Sequence, residues 1–113
     1  MRIHHIAFRT RDLERLERFY ADVLALRVTR RNERSVWLDA GGAILMLERA
    51  EPDEPDVAPA TMEMIAFDIG IEARIGYLAR LGERHIPVEA QTDHTLYFRD
   101  PDGRRIGLSH YRA

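Results

Sequence analysis

The chain has 113 residues, enough for one ordinary core and too few for two, and its 45% apolar and 32% charged residues exclude a disordered or fibrous protein. Its 17 basic residues face 19 acidic ones for a net charge of −2, and Arg9, Arg11, Arg15 and Arg18 are interrupted by Asp12, Glu14 and Glu17, so no nucleic-acid partner is expected. Cysteine is absent, which excludes thiolate chemistry and a disulfide framework and is compatible with a cytoplasmic location; no run of apolar residues is long enough for a membrane partner, and the first residues show no secretory pattern.

His5 to Thr10 alternates with period two, placing Ile6 and Phe8 on one face and His5, Ala7 and Arg9 on the other. Asp12 is a suitable N-cap, and the apolar spacing after it predicts an amphipathic helix from Leu13 to Leu24 lying on the Ile6 and Phe8 face. Strands follow at Arg27–Arg31, Ser35–Asp39 and Ala43–Glu48, with Gly41-Gly42 supplying the last bend. The next segment is acidic and carries Pro52, Pro55 and Pro59, which reads as a solvated linker.

The opening theme then returns. Met62 to Ile69 echoes Ile3 to Thr10, with Ile-Ala-Phe shared outright. A second helix is predicted over Ile71–Leu81 with Gly82 as its left-handed C-cap. Strands fit Val88–Ala90, Thr95–Arg99 and Arg105–His110, the last two joined by Asp100-Pro101-Asp102-Gly103, a run with strong turn chemistry. The expectation is one α+β domain over residues 1–113, with modules 1–49 and 61–113 joined by linker 50–60. Neither half has enough apolar surface to stand alone, so the halves pair within one chain or across a homodimer.

In the order of its motifs the chain resembles the vicinal oxygen chelate superfamily of glyoxalase, bleomycin-resistance and extradiol dioxygenase proteins. The resemblance rests on His5-Ile6-Ala7-Phe8, Asp12-Leu13, Phe19 to Leu24, and Tyr97 to Gly103, and covers nearly the whole chain. It implies paired βαβββ modules forming a curved mixed sheet around a cleft, where enzymes of the family hold a divalent metal. His5 matches the first module's histidine ligand, but Met46, Met64 and Gly107 stand where other ligands belong. Thioethers are soft, weak ligands and glycine supplies none, so no metal cofactor is expected. If a divalent metal ion is present, His5 with Glu48 is the pair that would hold it. Ala25 replaces the family's frequent glycine after the first helix, and that helix is expected to end without a left-handed residue there.

The functional expectation is a small-molecule-binding protein like the bleomycin-resistance members, with a degenerate metal site. His5, Arg9, Trp37, Met46, Glu48, Met64, Asp68 and Tyr97 are the candidate ligand-binding residues. Arg9 would meet an anionic or carbonyl group of a small organic molecule, His5 would make one hydrogen bond, and the methionines would follow an irregular apolar body. Trp37 and Tyr97 would wall it. Two alternatives stand beside this. One is a metal-dependent lyase, isomerase, epimerase or dioxygenase; the other is a dimeric structural or regulatory interaction module. No catalytic constellation is visible: there is no nucleophile elbow, phosphate loop or paired-histidine zinc motif.

Overall fold

In the computed structural model, which describes residues 1–112, the alternating opening segment is strand β1, His5–Thr10. Asp12 caps helix α1, Leu13–Arg18, its carboxylate accepting the Arg15 amide at 3.1 Å. The helix continues as a π-helical turn through Phe19–Val23. Strands β2 (Arg27–Arg31), β3 (Ser35–Asp39) and β4 (Ile44–Arg49) complete a four-stranded sheet of order β1-β4-β3-β2, with β1 parallel to β4 and the other pairs antiparallel.

The second half repeats this plan. Strand β5 (Met64–Asp68), helix α2 (Arg74–Glu83, entered by a 3₁₀ turn) and strands β6 (Ala90–Gln91), β7 (Thr95–Arg99) and β8 (Arg105–Ser109) give a sheet of order β5-β8-β7-β6. Again the first and last strands are parallel. The repeated βαβββ order of an α+β chain is therefore present.

Period two sorts each sheet into a core face and an open face. In the first, Val36, Leu38, Leu45 and Leu47 are buried under Leu13, Leu16, Tyr20 and Val23, and the Phe8 and Tyr20 rings meet at 5.9 Å as the helix-on-strand reading expects. In the second, Leu96, Phe98, Ile106 and Leu108 are buried together with Leu81 of α2. Their neighbours in sequence, Ala7, Met46 and Trp37 in one sheet and Ala66, Gly107 and Tyr97 in the other, lie on the open faces.

Four local expectations need correction. Ala25 does adopt the left-handed conformation, at φ 59°, because the π turn displaces the helix end and leaves the Leu26 amide bonded to the Tyr20 carbonyl. Gly82 does not cap α2. The helix runs one residue past it, His85 takes the left-handed position at φ 56°, and the His85 and Ile86 amides bond to the Gly82 and Leu81 carbonyls. Strand β6 begins at Ala90, two residues later than expected, since pairing with β7 starts only where the Glu89 amide meets the Tyr97 carbonyl. The acidic linker is exposed, but its first half is not loose. Arg9, Arg11 and Arg34 bind Glu54, Asp56 and Glu51, so residues to Asp56 join the first compact unit, Met1–Asp56, and the second begins at Val57.

Candidate functional site

The register of the first sheet aligns its open-face residues in rungs. Ala7 pairs with Met46 and Met46 with Trp37, making an apolar rung flanked by Arg30, whose guanidinium lies 4.9 Å above the Trp37 ring. One same-face step along, Arg9 pairs with Glu48. The Arg9 guanidinium reaches Glu48 at 3.5 Å and grips Glu54 of the acidic segment in a two-point contact, with Nε donating at 3.1 Å and Nη2 closing the fork. That contact holds the Glu54 carboxyl well down, at about 2, and the Arg9 guanidinium firmly protonated. Arg9 is thus already committed to carboxylates.

His5 lies at the opposite end of this face. It is exposed, and its Nδ1 stands 2.9 Å from that of His4. His5 is in register with Ile44, four residues before Glu48, so the two are separated by roughly 13 Å along the strands. The structure brings together Arg9 with Glu48 and Trp37 with Met46; it does not bring His5 to Glu48.

In the second sheet, Met64 pairs with Arg105, and Ala66 with Gly107, which in turn pairs with Tyr97. The Met64 side chain folds across Gly107: a Cβ built at Gly107 would stand 2.7 Å from the Met64 methyl and 3.3 Å from the Ala66 Cβ. Asp68 is exposed at the other end and bonds to Arg112 at 2.7 Å. At that end a concavity of about 370 Å³ is lined by Ala66, Phe67, Asp68, Ser109, Tyr111 and Arg112.

Sequence reasoning missed the groups that give this face its charge. Arg99 and Arg105 sit directly opposite one another across β7 and β8. One carboxylate serves both: Glu89 takes bonds from Arg99 at 2.9 and 3.0 Å and from Arg105 at 2.8 Å. Those bonds, the Arg99 one foremost, hold the Glu89 carboxyl below its ordinary range. The Arg105 guanidinium also lies 4.2 Å from the centre of the Tyr97 ring. Strand alternation alone puts Arg99 with Tyr97 and Arg105 with Gly107, so both arginines could have been found. Glu89 could not, because its face depends on where β6 begins.

The donor set does not fit a divalent metal. Of the four positions that the sequence resemblance would mark for metal ligands, one carries an imidazole, two carry thioethers, and the fourth is a glycine beneath a methionine methyl. Among the described residues no three or more histidine, aspartate or glutamate side chains converge on a common point. Nor is any described helix long and apolar enough to cross a membrane.

Comparison with known proteins extends these observations. The family model described as Glyoxalase/Bleomycin resistance protein/Dioxygenase superfamily matches residues 2–108. A fosfomycin resistance protein from Mesorhizobium loti superposes with a TM-score of 0.83 at 22% identity, covering 98% of this chain and 92% of that one. Lactoylglutathione lyase from Agrobacterium tumefaciens gives 0.74 at 23%, with 96% and 92% covered. A glyoxalase/dioxygenase from Nostoc punctiforme gives 0.77 at 22%, with 95% and 88% covered. At such identities the structural likeness speaks for the fold alone.

Proposed function

The chain belongs to the Glyoxalase/Bleomycin resistance protein/Dioxygenase superfamily, and from that premise we propose that it binds a small organic molecule without a resident metal. The carrying observation is Met64 folded over Gly107, which fills with a methyl group the space that a ligand side chain at residue 107 would enter. What remains on the open faces suits an organic ligand. The Ala7–Met46–Trp37 rung and the Ala66–Gly107–Tyr97 rung offer apolar area, and unbranched methionine can follow an irregular outline. His5 and the already paired Arg9 and Glu48 on the first face, with Asp68 on the second, supply polar groups, few in number, as in most small-molecule sites. We assign the protein to the cytoplasm, with which a cysteine-free sequence is compatible, and its protein partner to a second copy of itself, a reading supported by sheets that, among the described residues, end in edge strands.

The test is a small-molecule screen by thermal shift, run with and without chelator, beside calorimetric titration with zinc, nickel, manganese and, anaerobically, ferrous iron. Hits whose stabilisation is indifferent to chelator, with no stoichiometric metal uptake, are the expected result. Stoichiometric metal that is lost in His5→Ala would overturn the reading and favour the metal-dependent lyase, isomerase or dioxygenase alternative.

A further inference from the structure

Arg105 is a mostly enclosed cation with donors to spare. Its side chain is only 13% exposed, pressed against Tyr97, and its Nε is spent on Glu89. Among the described residues its Nη1 reaches nothing better than the Met64 sulfur, at 3.9 Å, and its Nη2 meets no acceptor. Arginine cannot shed its proton to relieve this. Directly across the strand pair stands Arg99, a like charge in the position where repulsion is strongest. Arg99 has its own oxygen partners, the Thr61 and Gly103 carbonyls as well as Glu89. Two guanidinium groups therefore share one carboxylate, and the cluster keeps a charge of one positive unit, with its unused donors on Arg105.

Beside that cation lies apolar surface: Met64 covers Gly107, Tyr97 backs the guanidinium, and Ala66, paired with Gly107, continues the face. We propose that Arg105, seconded by Arg99, is the recognition group for the oxyanion of a small amphiphilic acid, a carboxylate or phosphate monoester whose apolar body lies over Met64, Tyr97 and Ala66. Glu89 has two roles in this arrangement. It holds the two arginines together when no ligand is present, and it competes with the incoming anion for them. The inference rests on the small-molecule reading above and names its ligand class.

Benzoate, phenyl phosphate and the neutral isostere benzamide are suitable probes, titrated into the full chain while the Met64 methyl and Tyr97 ring resonances are followed by NMR. Benzoate or phenyl phosphate should move both signals, with an affinity that falls as salt is added, and benzamide should bind at least tenfold more weakly. Arg105→Gln should weaken the anionic probes at least tenfold, while Glu89→Gln, which removes the competitor, should tighten them several-fold. The second variant keeps the idea testable should the first fail to fold. Equal binding of benzamide and benzoate, or no tightening in Glu89→Gln, would overturn the oxyanion site and leave the small-molecule reading standing. If none of the probes moves a resonance on either open face, and the broader thermal-shift screen is also empty, both fall together.

Discussion

Trp37 carries a buried indole Nε1 that finds no acceptor among the described residues, on a side chain that otherwise packs well against Met46 and under Arg30. A buried donor without a partner costs about 1–3 kcal/mol, so the nitrogen works against the ring that holds it. Trp37→Phe removes the orphan donor together with part of the ring, and the two effects oppose each other. Urea unfolding should therefore shift by no more than about 1 kcal/mol for this variant, and a loss of about 3 kcal/mol or more, in the range of a large core deletion, would show that the N–H is satisfied in solution. Trp37, Met46, Met64 and Tyr97 were all legible as open-face residues, because alternation along a strand needs only the sequence. Their charged neighbours were less so. Arg9 looked available for a ligand, but Glu54 reaches it from 45 positions away, and no periodicity records such a contact.

At the scale of elements, the two left-handed helix ends show what local sequence rules reach and where they stop. Ala25 sits at φ 59° with a side chain that disfavours this region, whereas Gly82 lies inside α2 with nothing within 4 Å of where a Cβ would be. Ala25→Gly should stabilise the protein by about 0.5–1 kcal/mol, since it relieves the left-handed strain at the expense of some unfolded-state entropy. Gly82→Ala should add up to about 1 kcal/mol through helix propensity. Both are read from chemical denaturation midpoints. Destabilisation by the Gly82 variant would mean that the glycine terminates the helix in solution after all. The existence, type and order of the strands and helices were legible because the apolar period changes between elements and the Ile-Ala-Phe theme repeats. The ends were not, because the π turn at Phe19–Val23 and the positive φ of His85 answer to packing and hydrogen bonding that no local residue choice announces.

For the whole molecule, the notable electrostatic feature is how many exposed carboxylates are held by arginine or by backbone amides. Glu14 is held chiefly by Arg49, Asp39 by the Gly41 amide, Glu89 by Arg99 and Glu54 by Arg9, and each titrates below its ordinary range. Glu54 moves furthest, from an ordinary 4.5 to about 2. A folded-state value below the unfolded one means that the unfolded chain takes up the proton first. The contribution of such a group is complete above the unfolded value and is lost as pH falls toward the folded one. For Glu54 the window is therefore from 4.5 down to about 2. Because these groups are exposed, solvent and salt screen each of them strongly, and the effect belongs to the set of them. The melting temperature should accordingly fall as pH drops through this window, and fall less steeply at high salt. Glu54→Gln should remove the part of the acid slope that belongs to the Arg9 contact while lowering the melting temperature slightly at neutral pH. Melting curves of the wild type and Glu54→Gln, taken at low and high salt across the window, provide the check. Parallel acid slopes for the two proteins would show that the acidic segment does not hold Arg9 in solution.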